Sequence, residues 1–438
     1  MSHLKLPRFV FALAASCSVL GVGLEARGVA PQVDSATPKA SPGDDDRVPP
    51  PVPEGLDEGA VIARCVELLI ALQEDLTDPA APLEARREWP YEGVYRERAG
   101  RGRGSELVIP LGYRVGGTSI VSWALLSAPG YAEDARARAA VAKGAAFVLE
   151  QLATEGMRPG FNGGYDVRGW GHAYALWFLL QLRAHDAVPE GQAPAVSEWI
   201  PALVKTLEAT EIRPGGGWNY SRQNGFDKPG AAASPFMTGP TLLALFEAQR
   251  QGVAVDGQVV ERALGALSAT RIGDVLGGAD DTFSYGYSRG DQRSGRPGAM
   301  GRITSAEVAL YLAGRSDTQK LTSGVQAFVE HWQQLEARRR KDKTHLPPYG
   351  VAPYYVYFAH YHTALAITLL PEAERAAWRT KYLGRLYQSR LESGGWNDRV
   401  FDRSESYGTA MALLSLLAPS APALARWAGP ASSAPGSR

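Results

Sequence analysis

The chain repeats itself, and that repeat limits the fold more than any other feature. Tyr407-Gly408-Thr409-Ala410-Met411-Ala412-Leu413-Leu414 matches Tyr361-His362-Thr363-Ala364-Leu365-Ala366-Ile367-Thr368. Thr241-Leu242-Leu243-Ala244-Leu245 carries the same core, and looser copies begin at Thr118, His172 and Thr304. These six segments are rich in small residues and apolar nearly all round, the pattern of helices buried on every side. Between them lie six segments with one apolar stripe and charged faces, starting near Ala60, Ala140, Trp199, Gly257, Leu321 and Glu372. In the fourth, Val259, Ala263, Leu264 and Leu267 share a helical face. Successive buried helices stand about 50–65 residues apart, enough for a helical hairpin and a connection.

The joints repeat as well. Gly216-Gly217-Trp218-Asn219 and Gly394-Gly395-Trp396-Asn397 are the same turn, and Gly163-Gly164-Tyr165-Asp166 and Gly277-Gly278-Ala279-Asp280 are weaker copies. A glycine pair supplies positive φ where an outer helix ends, and the aromatic that follows plugs the gap between hairpins. Six outer and six inner helices, beginning outer and ending inner, close into a ring. The expected architecture is all-α, a single (α/α)6 toroid over residues 56–428.

Outside that body the composition changes. Residues 1–26, with Lys5 and Arg8 ahead of an apolar stretch to Leu24, read as an export signal. Ala14-Ala15-Ser16-Cys17 has the small residues before cysteine of a lipoprotein processing site, so Cys17 is a candidate for lipidation; simple cleavage near Ala26 or Ala30 is the alternative. Residues 27–55 are rich in Pro, Asp, Ser and Gly and read as a disordered linker, and 429–438 as a disordered tail. The expected location is exported: periplasmic, secreted or lipid-anchored in the envelope. With 46 basic and 46 acidic residues there is no electrostatic case for nucleic acid. Two cysteines exclude a disulfide framework and a Cys-cluster zinc site, and Cys65 sits among core-type residues as an inert thiol.

The turn Gln388-Ser389-Arg390-Leu391-Glu392-Ser393-Gly394-Gly395-Trp396 resembles the glutamine–tryptophan motif of squalene and terpenoid cyclases. The segment from Tyr407 to Leu414 resembles the helix that follows it there, and protein prenyltransferase β-subunits share the toroid. The chain is most similar to exported prenyltransferase and squalene-oxidase repeat proteins of bacteria. That resemblance runs through the repeats and not through a catalytic signature. Squalene–hopene cyclases carry an Asp-x-Asp-Asp-Thr acid motif; the nearest match is Gly278-Ala279-Asp280-Asp281-Thr282, with glycine at the first acid. Asp280 and Asp281 are therefore catalytic candidates, although Asp280 also falls at the ordinary turn position of Asn219, Asn397 and Asp166. Prenyltransferases need a zinc site of Asp, Cys and His, and no cysteine here suits it. No metal and no cofactor are expected.

Other candidates come from the residues themselves. His172 at an inner-helix start could act as general acid or base near Asp166, or hydrogen-bond as a plug beside Trp170. His360 and His362 lie two apart on an inner helix and so point about 200° apart, which keeps them from sharing one metal easily. Aromatic connections gather Trp89, Tyr91 and Tyr95; Phe283, Tyr285 and Tyr287; and Tyr349, Tyr354, Tyr355 and Tyr357 at one mouth. They would line a ligand site or simply fill gaps. The Arg-rich connection from Arg86 to Arg103, followed by Arg114, is diluted by Glu84, Glu88, Glu92, Glu97 and Glu106; it reads as a solvated loop, with an anionic ligand as the alternative.

Three functions remain open. The first is an envelope toroid that binds an apolar small molecule or a partner protein without the family's standard catalysis. The second is a terpenoid-cyclase-like isomerase using a non-standard acid among Asp280, Asp281, Asp398 and Asp402. The third is a carbohydrate-active (α/α)6 enzyme, which needs two facing acids or a Tyr or His base with a neutraliser such as Arg114.

Overall fold

The computed structural model describes residues 48–98, 106–160, 166–220, 233–272, 282–283, 295–342 and 356–430. Twelve helices of the described residues alternate between two layers. The outer ones are α1 (Glu58–Ala71), α3 (Ala135–Leu152), α5 (Ala193–Ala209), α7 (Gly257–Thr270), α9 (Thr318–Arg339) and α11 (Glu372–Gln388). The inner ones are α2 (Leu111–Leu126), α4 (Arg168–Ala184), α6 (Pro235–Arg250), α8 (Met300–Leu312), α10 (Val356–Leu369) and α12 (Ser404–Leu417). Two short antiparallel pairs, β1 (Glu97–Arg98) with β2 (Leu107–Val108) and β3 (Arg271–Ile272) with β4 (Thr282–Phe283), ornament the connections. Each inner helix packs on the next, and α12 returns to pack on α2. The chain is an (α/α)6 toroid.

Burial follows the two sequence patterns. Along α10 every residue from Val356 to Ile367 is buried, whereas α1 buries only Val61, Cys65 and Leu69. Four outer helices start at an Asp: Asp57, Asp134, Asp256 and Asp317 each accept a backbone N–H of the first turn. Such a cap is worth about 1 kcal/mol where a helix end faces water. Burial pushes the Cys65 thiol up to about 12, so it remains a protonated packing group.

A turn with the same hydrogen bonds occurs three times among the described residues. The indole N–H groups of Trp89, Trp218 and Trp396 donate to the carbonyls of Leu69, Leu207 and Leu386, at the ends of α1, α5 and α11. Their backbone N–H groups donate to Oγ1 of Thr118, Thr238 and Thr409 on the following inner helices. Each tryptophan therefore rivets an outer helix to the next inner one. Two readings from sequence change here. Thr238, not Thr241, is the counterpart of Thr409, because Thr241 turns its hydroxyl back to Met237 O. Trp89, grouped from sequence with the mouth's ligand aromatics, is a fully buried member of the plug set. Gly408 lets the turn sit down on α12: a Cβ there would lie 2.8 Å from Asp398 N and 2.9 Å from the Trp396 carbonyl carbon.

The ring closes where its first and last repeats meet. Arg64 Nε donates to Ser393 O at 3.0 Å, Arg379 pairs with Glu58 at 2.8 Å and Arg403 with Glu74 at 2.9 Å. The stretch from Val48 to Gly55, assigned to the linker from sequence, reaches the ring, with Val52 against the core and Pro50 over Gly384 of α11.

After α12 the chain does not stop. Residues 418–430 run as an irregular strap over the C-terminal ends of the inner helices to the opposite side of the ring. Trp427 latches the far end: its N–H donates to Leu312 O at 3.1 Å, its indole N–H to Glu261 at 2.9 Å, and its ring stacks on Phe246. Gln249 Nε2 adds a bond to Gly429 O.

Candidate functional site

The toroid has two ends of different chemistry. At the end with the glycine–tryptophan turns, the residue two beyond the plug tryptophan is Tyr91 in one copy and Asp398 in another. They meet across the seam, with Tyr91 OH donating to Asp398 Oδ2 at 3.0 Å. Asp398 Oδ1 accepts the backbone N–H of Tyr357, at the start of α10, at 3.0 Å. The carboxyl is fully buried. Burial pushes it up to about 6, against the pull of those two bonds and of Arg399 and Arg339. Around it stands a nest of rings: Tyr91 lies 4.6 Å from Tyr407, 5.2 Å from Tyr113 and 5.8 Å from Trp170 between centroids.

Other acids at this end are neutralised by arginines. Glu88, fully buried, receives Arg114 Nε at 2.7 Å and Nη2 at 2.6 Å, so Arg114 is committed to a buried pair. Asp166 receives Arg168 through its backbone N–H at 2.8 Å and its guanidinium at 2.6 Å. Arg339, in the basic run that closes α9, pairs with Glu336 and donates to Asn397 O at 2.7 Å, tying the last turn down. Asp402 is exposed.

The candidate histidines are buried and occupied by structural partners. His172 Nε2 bonds Met157 O at 2.7 Å. His360 Nε2 accepts the indole N–H of Trp332 on α9 at 2.8 Å, whereas His362 Nδ1 donates to Phe358 O at 2.9 Å. The two rings diverge as residues two apart on a helix must. Burial drives His360 down to about 3 and His362 to about 4, so both are neutral imidazoles. Tyr357 is buried with its hydroxyl on Ser389 Oγ at 3.0 Å. Asp280, Asp281, Tyr285, Tyr354, Tyr355 and Cys17 lie outside the described residues. Among the described residues no group of three or more His, Cys, Asp or Glu could hold a metal ion, and no helix is long and apolar enough to cross a membrane.

The opposite end holds a cavity of about 370 Å³ between the strap and the C-terminal ends of the inner helices. Its walls include Trp123, Trp177, Tyr361, Leu365 and Leu414, and Ala421 to Leu424 of the strap form its roof. No carboxylate among the described residues lines it; Arg375 and Arg426 stand among the lining residues. At roughly 30 Å³ per water-sized group there is space for about a dozen heavy atoms. Trp123, Trp177 and Tyr361 also line a smaller pocket of about 20 Å³, completed by Ala173, Tyr174, Pro240, Leu243 and His362. The two spaces share three aromatic walls.

Sequence reasoning missed this end. Trp123, Trp177 and Tyr361 sit within segments that read only as buried helix, and residues 418–428 read only as the end of the toroid body. The one available signal was the Pro419, Pro422 and Trp427 content of that segment, which suits an ordered crossing better than a solvated end.

No protein-family model matches the chain, and no curated protein matches it. Solved structures with a similar path include the apo type II terpene cyclase MstE from Scytonema, at 14% identity and TM-score 0.46, covering 83% of this chain and 98% of that one. The GH76 α-mannanase BT2949 of Bacteroides thetaiotaomicron aligns at 10% identity and TM-score 0.45, over 84% and 96%. The Lin0763 protein from Listeria innocua aligns at 12% and 0.47, over 82% and 97%. Likeness at this level carries no reaction or ligand across, and the ring rests on the packing order of its own helices.

Proposed function

We propose that this toroid is a binding protein for a single apolar molecule, held inside the ring beneath the C-terminal strap. The observation that carries the reading is the roofed cavity walled by Trp123, Trp177, Tyr361, Leu365 and Leu414. Its volume is that of a small-ligand site, and its apolar and aromatic walls favour contact area over charge. The strap supports the same reading. It is latched at Trp427, yet none of the backbone groups from Pro422 to Arg426 makes a hydrogen bond among the described residues, so its middle is held by side-chain packing such as that of Leu424 and Ala425. With residues 1–26 read as an export signal, the binding belongs outside the cytoplasm, in the envelope.

Titration with 1-aminonaphthalene, an uncharged two-ring fluorophore of about eleven heavy atoms that matches the cavity in size, tests this. The wild-type chain is expected to take up one dye with a blue-shifted emission. Thr368→Trp, which fills the cavity from its α10 wall, is expected to abolish uptake. Equal uptake by both proteins places the dye elsewhere and removes the proposal.

A second reading is favoured by Asp398 alone. A buried carboxyl held up to about 6 beside four aromatic rings has the environment of a proton donor for a terpenoid-cyclase-like isomerisation. Both of its oxygens are engaged, however, and Tyr91 takes up Oδ2. Incubation with squalene or geranylgeraniol separates the readings. Cyclised product lost in Asp398→Asn would favour catalysis, and unchanged substrate favours binding.

A further inference from the structure

The cavity beneath the strap carries two positive charges that the apolar reading leaves unused. Arg375, in the first turn of α11, and Arg426, on the strap, both line it; Glu372 and Glu374, in the same turn as Arg375, do not. Neither arginine makes an ion pair among the described residues, whereas Arg379, one turn further along α11, is paired with Glu58. Arg375 spends only its Nε, on Leu370 O at 2.7 Å, just beyond the end of α10. Arg426 lies over the Tyr311 ring of α8, 5.3 Å from its centroid. A guanidinium stacked on a ring keeps its in-plane N–H groups free to form a fork toward a planar anion. The helices α8 and α10 pack on each other and end at this cavity. Each end carries about half a negative charge, so two full positive charges leave an excess. The remaining polar side chains of the lining are uncharged: Ser127 and Thr368 donate back to Trp123 O and Leu365 O, and Tyr361 and the two indoles complete the set. Both arginines are exposed, so they stand where the cavity meets water and not among the rings.

We infer that the ligand is a medium-chain carboxylate, with its hydrocarbon chain among the aromatic walls and its carboxylate at the rim on Arg375 and Arg426. The fork of a guanidinium matches the two oxygens of a carboxylate, and such charge-assisted bonds are the stronger kind. At the rim the carboxylate keeps part of its water, so the large cost of burying a charge among the rings does not arise. The space of about 370 Å³, enough for about a dozen heavy atoms, fits a chain of the length of decanoate. An uncharged chain gains the apolar walls and nothing from the rim. A cationic head meets like charge there, with no carboxylate among the described lining residues to offset it.

This inference rests on the binding reading above, and one experiment separates the two. The full chain is loaded with 1-aminonaphthalene at about pH 8, where a fatty carboxyl is ionised, and displaced with decanoate and with 1-decanol, its uncharged counterpart. The expected result is about a fivefold preference for decanoate in the wild type, which shrinks as salt is raised. In Arg426→Gln, a change on the strap surface, the preference is expected to fall, and with Arg375→Gln added it is expected to vanish. Displacement by 1-decanol should be unchanged in both variants, which also reports that they are folded. Equal displacement of the wild type by both compounds, or a preference for 1-decanol, would leave apolar binding intact and overturn the carboxylate head. A preference for decanoate that survives in both variants would overturn the assignment to these arginines. Displacement by neither would overturn both readings.

Discussion

Replacing Asp398 by Asn turns the buried carboxyl into a measurable quantity. The side chain keeps its shape, its oxygen still accepts Tyr357 N–H, and its amide can donate to the Tyr91 oxygen. What disappears is titration. In the folded chain the acid sits at about 6 against an ordinary 3.8. A difference of that size corresponds to roughly 3 kcal/mol, since each tenfold change in proton affinity is worth about 1.4 kcal/mol. Below the ordinary value the group is protonated in both states and costs nothing. Between the two values the unfolded chain releases its proton while the folded chain keeps it, so stability falls as pH rises. Above about 6 both are ionised and the full penalty stands. Urea unfolding of both proteins between about pH 4.5 and about pH 8 should show the wild type losing about 2 kcal/mol relative to Asp398→Asn, because the other groups cancel in the difference. Curves that stay parallel would show Asp398 at its ordinary value, and a difference of opposite sign would show a carboxylate stabilised by its neighbours. Either result would refute the desolvation argument.

Four further substitutions probe the riveted turns and the inner pocket. Gly408→Ala sets a methyl against the backbone at Asp398 N and the Trp396 carbonyl carbon, and should cost about 1–3 kcal/mol in thermal unfolding; an unchanged midpoint would mean the turn can shift freely. Thr409→Val keeps the volume but orphans the buried Trp396 N–H, with an expected loss of about 1–3 kcal/mol by urea denaturation and a similar loss for Thr118→Val. Tyr174→Phe removes a buried hydroxyl with no partner among the described residues, so stability of the ligand-free chain should stay within about 0.5 kcal/mol or rise; a loss above about 1 kcal/mol would reveal a tightly held water or ligand.

The ring was legible because it is a matter of patterning. All-round apolar segments around Thr363 and Thr409 can only be inner helices, and the stripe of Val259, Ala263, Leu264 and Leu267 can only face one way. The plug tryptophans were legible at Trp218 and Trp396, where glycine pairs announce the turn. Trp89 escaped because Pro90 follows it and no glycine pair precedes it, so the same hydrogen bonds are built on a different local sequence. Thr241 misled because helix register cannot be fixed by composition when neighbouring turns of α6 both carry threonine. The sites were less legible for a related reason. Whether Asp398 faces water or Tyr91 depends on a contact between residues more than 300 positions apart, and no local pattern encodes that. Arg114 looked available for a ligand because Glu88 is one of five acids nearby, and only the fold selects which one it meets. The cavity depends on a strap whose course is set by a latch at Trp427 on the far side of the ring.

Native mass spectrometry of the full chain, isolated without detergent, addresses the binding account most directly. The account predicts a wild-type mass above that of the bare polypeptide by one small apolar molecule per chain, and a bare mass for Thr368→Trp. A bare wild-type chain that still takes up no 1-decanol when the alcohol is supplied would contradict it.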